Sequence, residues 1–187
     1  MVYHLKHEML AEQNAADEAR ARFVLGFKRH LVKDIRAANG LAYEMEAEPA
    51  YRALNGRAPQ SRDEAIDAYQ HSRHYRYWAA LNRTSQEMMW QTVAEAVYRD
   101  EKRLEDQAEK LTSAPTKKGS LTLDPSFEPD PAFSGEGIHL QPESYVAEDE
   151  SGRRVVAGAF YEMGGRLYSM GRGMAARDSK AASVLAY

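Results

Sequence analysis

The chain has 187 residues, of which 25 are basic and 28 acidic, so its formal net charge is −3 at pH 7. That length provides one domain with a substantial core, and the charge balance excludes the global positive field with which many proteins attract nucleic acid. The sequence has no cysteine, no apolar run near the ~20 residues of a membrane span and no secretory signal in its polar start, which predicts a cytoplasmic protein without disulfides and without a membrane or nucleic-acid partner.

Apolar residues in the first third of the chain recur at helical spacing. From residue 14 to residue 38 they return every four positions, which predicts one helix with a buried stripe, and Asn39-Gly40 is a typical helix stop. A second helix is predicted over residues 41–54, where Pro49 can break it in two. Asn55-Gly56 ends this second helix.

A capping box marks the start of the next helix. The Ser61 hydroxyl and the Glu64 carboxylate can each accept a hydrogen bond from a backbone amide that the helix leaves unpaired, which predicts a helix over residues 62–71. The longest helix is predicted over residues 72–111, with two neighbouring apolar stripes that indicate burial against more than one partner. The predicted core consists of Phe23, Phe27, Leu31, Tyr77, Trp78, Leu81, Met88, Met89 and Val93.

The last part of the chain changes character at residue 113. Proline, glycine and small polar residues predict an extended arm over residues 113–150. Helical spacing returns over residues 155–170, although Gly164-Gly165 predicts a kink or break, and Asp178 with Ser179 can cap a final helix. We therefore predict a mainly α fold: a bundle-like domain of about five or six helices (1–112), the arm (113–150) and a helical segment (151–187) that leads toward a further domain.

Several motifs have a structural interpretation that is stronger than the functional one. His71 and His74 lie three residues apart after a helix that carries several glutamates, but helical di-metal sites use a Glu-x-x-His pair on each of two helices, and no such pair occurs in the predicted helices; we predict no metal site. The glycines between residues 164 and 173 match neither the P-loop nor the dinucleotide fingerprint, so we expect them in turns and close packing. The run Met88-Met89-Trp90 is interpreted as core first, with pocket lining as a compatible role.

His139 and Tyr145 are the residues with the clearest catalytic chemistry. An imidazole and a phenol separated by a proline turn can position or deprotonate a hydroxyl or amine nucleophile. The alternative is a histidine that is hydrogen-bonded inside a packed loop and performs no chemistry.

Five segments, in order, resemble successive blocks of the N-terminal region of a group of bacterial class I S-adenosylmethionine-dependent methyltransferases. The blocks are IRAANGLAYEMEAEPAYRALNGRAP (35–59), YRYWAALNRTSQEMMW (75–90), LTLDPSFEPDPAF (121–133), HLQPESY (139–145) and AGAFYEMGGRLYSMG (157–171). None of them is a catalytic motif, so the resemblance depends on their order. It implies a helical domain and an extended arm that leads into a class I cofactor-binding domain.

The resemblance implies a function as well as a fold. The chain would be the substrate-binding or capping region of such an enzyme, with S-adenosyl-L-methionine as the cofactor and a small-molecule acceptor as the substrate. The strand and glycine-rich loop that hold the cofactor have no counterpart here, so we assign no cofactor-binding residue and expect these 187 residues alone to be inactive. Glu143 stands where the family tends to have glycine, which puts the turn after Pro142 in doubt.

Candidate site residues follow from this interpretation. We name His139 and Tyr145 as candidate catalytic residues. The candidate substrate-binding residues are Trp78, Asn82, Met89 and Tyr161. Their protein partner would be the chain's own C-terminal domain or a second copy. The alternative function, from another class, is a non-catalytic helical module that docks a partner or dimerises through exposed aromatic side chains.

Overall fold

The computed structural model describes residues 7–115, 124, 126, 128, 140–141 and 154–170. Every regular element within these ranges is helical, which confirms the mainly α class. Most of the predicted arm and the cap at Asp178 lie outside the described residues, as do both candidate catalytic residues, His139 and Tyr145.

Within the described ranges, six α-helices and three short turns of other helical types follow one another. In order they are α1 (Ala15–His30), a π turn (Leu31–Ile35), a 3-10 turn (Arg36–Ala38), α2 (Asn39–Ala42), a second π turn (Tyr43–Ala47), α3 (Glu48–Asn55), α4 (Arg62–Gln70), α5 (Arg73–Ser113) and α6 (Arg154–Tyr168).

The predicted stop at Asn39-Gly40 is wrong. Helical conformation continues from α1 through α3, because the π and 3-10 turns accommodate this stretch without a loop. Pro49 lies in the first turn of α3, where its missing amide proton would have had no intrahelical partner. The predicted end at Asn55-Gly56 is confirmed: Gly56 has a φ of 69°, and its amide donates to the Arg52 carbonyl at 2.9 Å.

The capping box before α4 is confirmed and extended by an arginine. The Glu64 amide donates to the Ser61 hydroxyl at 3.2 Å, and the Glu64 carboxylate accepts from the Gln60 amide at 2.7 Å. Arg57 donates two further hydrogen bonds to that carboxylate, at 2.7 and 2.8 Å. The Arg57 guanidinium and the Gln60 amide together lower the pKa of Glu64 to about 2.

Helix α6 corrects the prediction of a break at Gly164-Gly165, because it runs unbroken through both residues. Gly164 lies against the ring of Trp90: a Cβ built at this position would be 2.2 Å from the ring atom Cζ3. The absent side chain therefore serves close packing of α6 on α5, as expected for at least this glycine, and no turn is formed.

Packing contacts divide the chain into two compact units. The first unit comprises Met1–Arg22 with Glu87–Tyr187, and the second comprises Phe23–Gln86. The first unit has a large apolar core from α5 and α6, and at its edge the exposed Tyr98 meets the buried Phe160 ring edge-on with ring centres 5.1 Å apart. The predicted boundaries near residues 112 and 150 stay predictions, since residues around 150 lie outside the described part.

The predicted core is correct in part. Leu31, Met89 and Val93 are buried, whereas Phe23 and Tyr77 are 62% and 58% exposed. The half-buried members of the predicted set are Phe27, Trp78, Leu81 and Met88. On α1 the error has a geometric cause. A helix has 3.6 residues per turn, so side chains four residues apart are displaced by about 40° around the helix at each step and do not stay on one face. The stripe that is buried follows the shorter repeat, through Asp17, Ala21, Val24, Lys28 and Leu31.

Replacement of Trp78 by alanine is expected to cost less than loss of a fully buried tryptophan. The ring is half-buried and tilts against Tyr75 with ring centres 5.8 Å apart, so we expect about 1–2 kcal/mol rather than the ~3–5 kcal/mol of a core position. Urea unfolding monitored by circular dichroism measures this difference. Tyr77→Ala, at the exposed neighbouring aromatic, is the control and should change stability by less than about 0.5 kcal/mol. Equal losses in the two variants would contradict the assignment.

Candidate functional site

The candidate substrate-binding residues are distributed over both units. Trp78 and Asn82 lie one helical turn apart on α5 in the second unit, and both are half-buried. Met89 is completely buried in the first unit, so it is a core residue. Tyr161 lies on α6 in the first unit and is 61% exposed, which leaves its ring accessible. The roles of these four residues stay predictions.

Trp78 belongs to an aromatic cluster in the second unit. Its ring lies beside Tyr75, and Tyr75 meets Tyr69 edge-on with ring centres 5.3 Å apart. The Tyr69 hydroxyl is buried and has no hydrogen-bond partner among the described residues. Burial, followed by the nearby Tyr75, raises the pKa of Tyr69, so this hydroxyl is a neutral donor. An unpaired buried hydroxyl beside flat rings is the kind of polar group that an apolar ligand with one acceptor atom would satisfy.

The polar groups at the start of α5 are already engaged in holding helices together. Glu46 accepts from the Arg73 amide at 2.7 Å, and this hydrogen bond keeps the pKa of Glu46 below its ordinary value. His74 Nε2 lies 3.1 Å from the Asn39 side-chain oxygen. These contacts tie residues of the 39–47 stretch to α5, which is a structural role and accounts for His74 without catalysis.

Two buried ionisable residues were missed by the sequence analysis. Lys28 lies on the buried stripe of α1, and burial lowers its pKa. Asp17 is completely buried at the start of α1. It accepts from the Asn14 amide at 2.8 Å while its own amide donates to the Asn14 side chain at 2.9 Å, which is a second capping box. The pattern Asn14-Ala15-Ala16-Asp17 in the sequence was the signal for it.

Charged donors surround the buried Asp17 carboxylate. Arg20 donates to it at 2.8 Å, and Arg99 donates to it from α5. Burial favours the protonated acid, but the hydrogen bonds from Arg99, Asn14 and Arg20 outweigh burial and leave the pKa of Asp17 below its ordinary value. All the donors are part of the fold, so this carboxylate holds α1 and α5 together and does not serve as a general base.

The second unit also carries many exposed large apolar side chains. Leu54 is 86% exposed, and the rings of Phe23 and Phe27 stack on each other with centres 6.3 Å apart. The exposed members of this set are Phe23, Val32, Leu41, Met45, Leu54, Ile66 and Tyr77. By contrast, the only large aliphatic side chains that are fully buried among its described residues are Val24 and Leu31. Exposed apolar side chains of this size are candidates for a surface that another protein or domain covers.

A small cavity in the first unit is not a substrate site. Its volume is about 20 Å³, which holds a single water molecule. Arg166 on α6 lines it, and the Nε atom of this residue has no hydrogen-bond partner among the described residues. Burial lowers the pKa of Arg166, although its guanidinium stays charged at neutral pH.

No group of three or more metal-ligating side chains occurs among the described residues. None of the helices described here combines the length and apolarity that a membrane span requires. Comparisons with protein-family models, with curated proteins and with solved structures found no match.

Proposed function

We propose that this chain is the helical capping region of a class I S-adenosylmethionine-dependent methyltransferase, and that its second unit packs against the cofactor domain. The observation that carries the proposal is the set of exposed apolar side chains on that unit, which a covering domain would remove from water. The order of the five sequence blocks supports a cofactor domain as the occupant, because the same blocks precede such a domain in the family that the sequence resembles.

The aromatic cluster supports a role in binding the acceptor. The half-buried ring of Trp78 offers a flat face, the Asn82 amide can both donate and accept, and the unpaired Tyr69 hydroxyl can donate to an acceptor oxygen. A cap that closes over the reacting pair excludes water and holds nucleophile and methyl donor in line. His139 and Tyr145 would position or deprotonate the acceptor in that closed state.

The second candidate is a dimerisation module without catalysis. The stacked pair of Phe23, which is largely exposed, and Phe27 favours it, since aromatic side chains at helical spacing are typical anchors of helix pairs. In this case the exposed apolar side chains would meet the same side chains of a second copy around a two-fold axis.

The first test is the gene sequence that follows Tyr187 together with a cofactor titration. A strand, a glycine-rich loop and a helix encoded there support the methyltransferase, and a stop codon supports the module. Calorimetry of the 187-residue chain should detect no stoichiometric binding of S-adenosylmethionine. Light scattering should find a monomer if the surface belongs to a cofactor domain and a dimer if it belongs to a second copy.

In an enzyme that contains the cofactor domain, His139→Ala and Tyr145→Phe are expected to lower kcat by about 100-fold if these groups transfer protons. Thermal stability should be nearly unchanged. A large drop in Tm, with activity in proportion to the folded protein, would instead mean that both residues hold the arm in place and do no chemistry.

A further inference from the structure

The residues before α1 are held along α5 through their backbone. Residues 7–14 contain a turn and irregular backbone, and we name them the N-terminal strap. Arg103 of α5 donates to the carbonyl oxygens of Glu8 and Leu10 at 2.7 and 2.8 Å, and Arg99 donates to that of Glu12 at 3.3 Å. These three hydrogen bonds are made to main-chain carbonyl oxygens, so this part of the register does not depend on which side chains the strap carries.

The spacing of the hydrogen-bonded residues on the strap matches the spacing of their partners on α5. The carbonyls of Leu10 and Glu12 lie two residues apart, a span of about 6.6 Å in extended chain. Their donors, Arg103 and Arg99, lie four residues apart on the helix, a span of about 6.0 Å. The segment from Leu10 to Glu12 therefore runs antiparallel to α5 along one face of it. A further pairing fixes the same register, because the Glu12 amide donates to Asp100 at 2.8 Å.

The other side of the strap meets α6. His7 Nε2 lies 2.6 Å from a carboxylate oxygen of Glu162, and Ala11 is buried. The small cavity of about 20 Å³ is lined by the strap, α5 and α6, together with Ala21 of α1. The apolar lining residues from the strap, α5 and α6 are Leu10, Ala11, Val93, Met163 and Leu167. The strap thus occupies the junction at which α6 packs on α5.

Helix α6 needs such support. It has 15 residues and contains Gly164 and Gly165, so it is too short and too weak a helix to persist without tertiary packing. A long connection separates it from α5 in sequence, and closing that loop has an entropic cost that packing must offset. The strap supplies part of that packing from the opposite end of the chain.

We propose that the N-terminal strap is a clamp whose arginine contacts control whether α6 stays docked on α5. Release of the strap frees α6 while the second unit keeps its structure. The clamp is independent of the proposed function, since it concerns only how the first unit is assembled. It makes the position of α6, and of whatever follows it, depend on residues that precede the first helix.

Arg103→Gln tests the clamp in the full 187-residue chain by hydrogen exchange. The variant removes the guanidinium that donates to the carbonyls of Glu8 and Leu10 and to the Asp100 carboxylate, and we expect amides of α6 to exchange about tenfold faster or more while those of α4 keep their protection. Lys102→Gln is the matched control, because Lys102 lies on the neighbouring position, is highly exposed and pairs only with Asp106 among the contacts described. It should leave exchange in α6 unchanged.

The clamp is overturned if Arg103→Gln speeds exchange in the strap but leaves α6 protected, or if Lys102→Gln has the same effect as Arg103→Gln. If Arg103→Gln removes protection throughout the chain, His7→Ala decides. It deletes only the exposed contact to Glu162, and faster exchange confined to α6 and the strap supports the clamp, whereas unchanged exchange in α6 overturns it.

Discussion

Replacement of Asp17 by alanine is expected to lower the free energy of unfolding by about 2–4 kcal/mol. The carboxylate is completely buried, and it pairs with the Asn14 amide, Arg20 and Arg99. Its removal leaves that amide unpaired at the start of α1 and separates α1 from α5. The two arginines are about half exposed and can return to water, so the loss should stay below that of a fully buried ion pair.

Glu18→Ala is the matched control for Asp17→Ala. Glu18 lies in the same first turn of α1, its partner Arg22 is exposed, and its attraction to Arg166 is a Coulombic one, so the loss should be below about 1 kcal/mol. Urea unfolding of both variants at pH 7 measures the difference. A loss at Asp17 no greater than that at Glu18 would show that the buried network contributes nothing to stability.

The pH dependence of the Asp17 variant checks the same network by another route. The pKa of Asp17 is lower in the folded chain than in the unfolded chain, so its contribution is fully present above about pH 4, the ordinary range of aspartate. The contribution is lost as pH falls through the folded pKa. The difference in stability between wild type and Asp17→Ala should therefore be constant at neutral pH and shrink in strong acid.

Local rules predicted the fold where one short signal was decisive. The capping box at Ser61 and the helix end at Gly56 both appear as expected, because each depends on a few adjacent residues. The capping box at Asn14 follows the same rule, and it was missed because α1 was defined by its apolar spacing alone. Helix starts are thus better predicted from polar residues than from the apolar repeat that follows them.

Features that depend on distant residues could not be predicted in the same way. Gly164 suggested a break because glycine weakens a helix, whereas the ring of Trp90 on another helix requires the missing side chain. The exposure of Phe23 depends on which of two adjacent stripes of α1 meets a neighbour. The aromatic cluster at Trp78 is a candidate binding site because of the unpaired Tyr69 hydroxyl. Tyr69 lies on a different helix and belongs to no sequence motif, so its place in the cluster could not be predicted.

Exchange of Gly165 for alanine is the control for the strongest packing prediction, at Gly164. Gly165 has nothing within 4 Å of a Cβ built on its backbone. Alanine is the better helix former, so Gly165→Ala should raise stability by about 0.5–1 kcal/mol. The two positions are adjacent in one helix and differ only in what lies beside them, so any general effect of alanine on α6 is common to both variants.

Gly164→Ala is expected to lower the free energy of unfolding by about 2–3 kcal/mol, because the new methyl group would overlap the ring of Trp90. The nearest ring atoms would lie 2.2 and 2.5 Å away, far inside van der Waals contact, and Trp90 is only 6% exposed, so its ring cannot swing into solvent without leaving the core. The gain in helix propensity offsets less than half of this cost. Urea unfolding gives the loss, and tryptophan fluorescence reports displacement of the ring. Stabilisation of both glycine variants by the same amount would mean that α6 does not pack on α5 through Gly164.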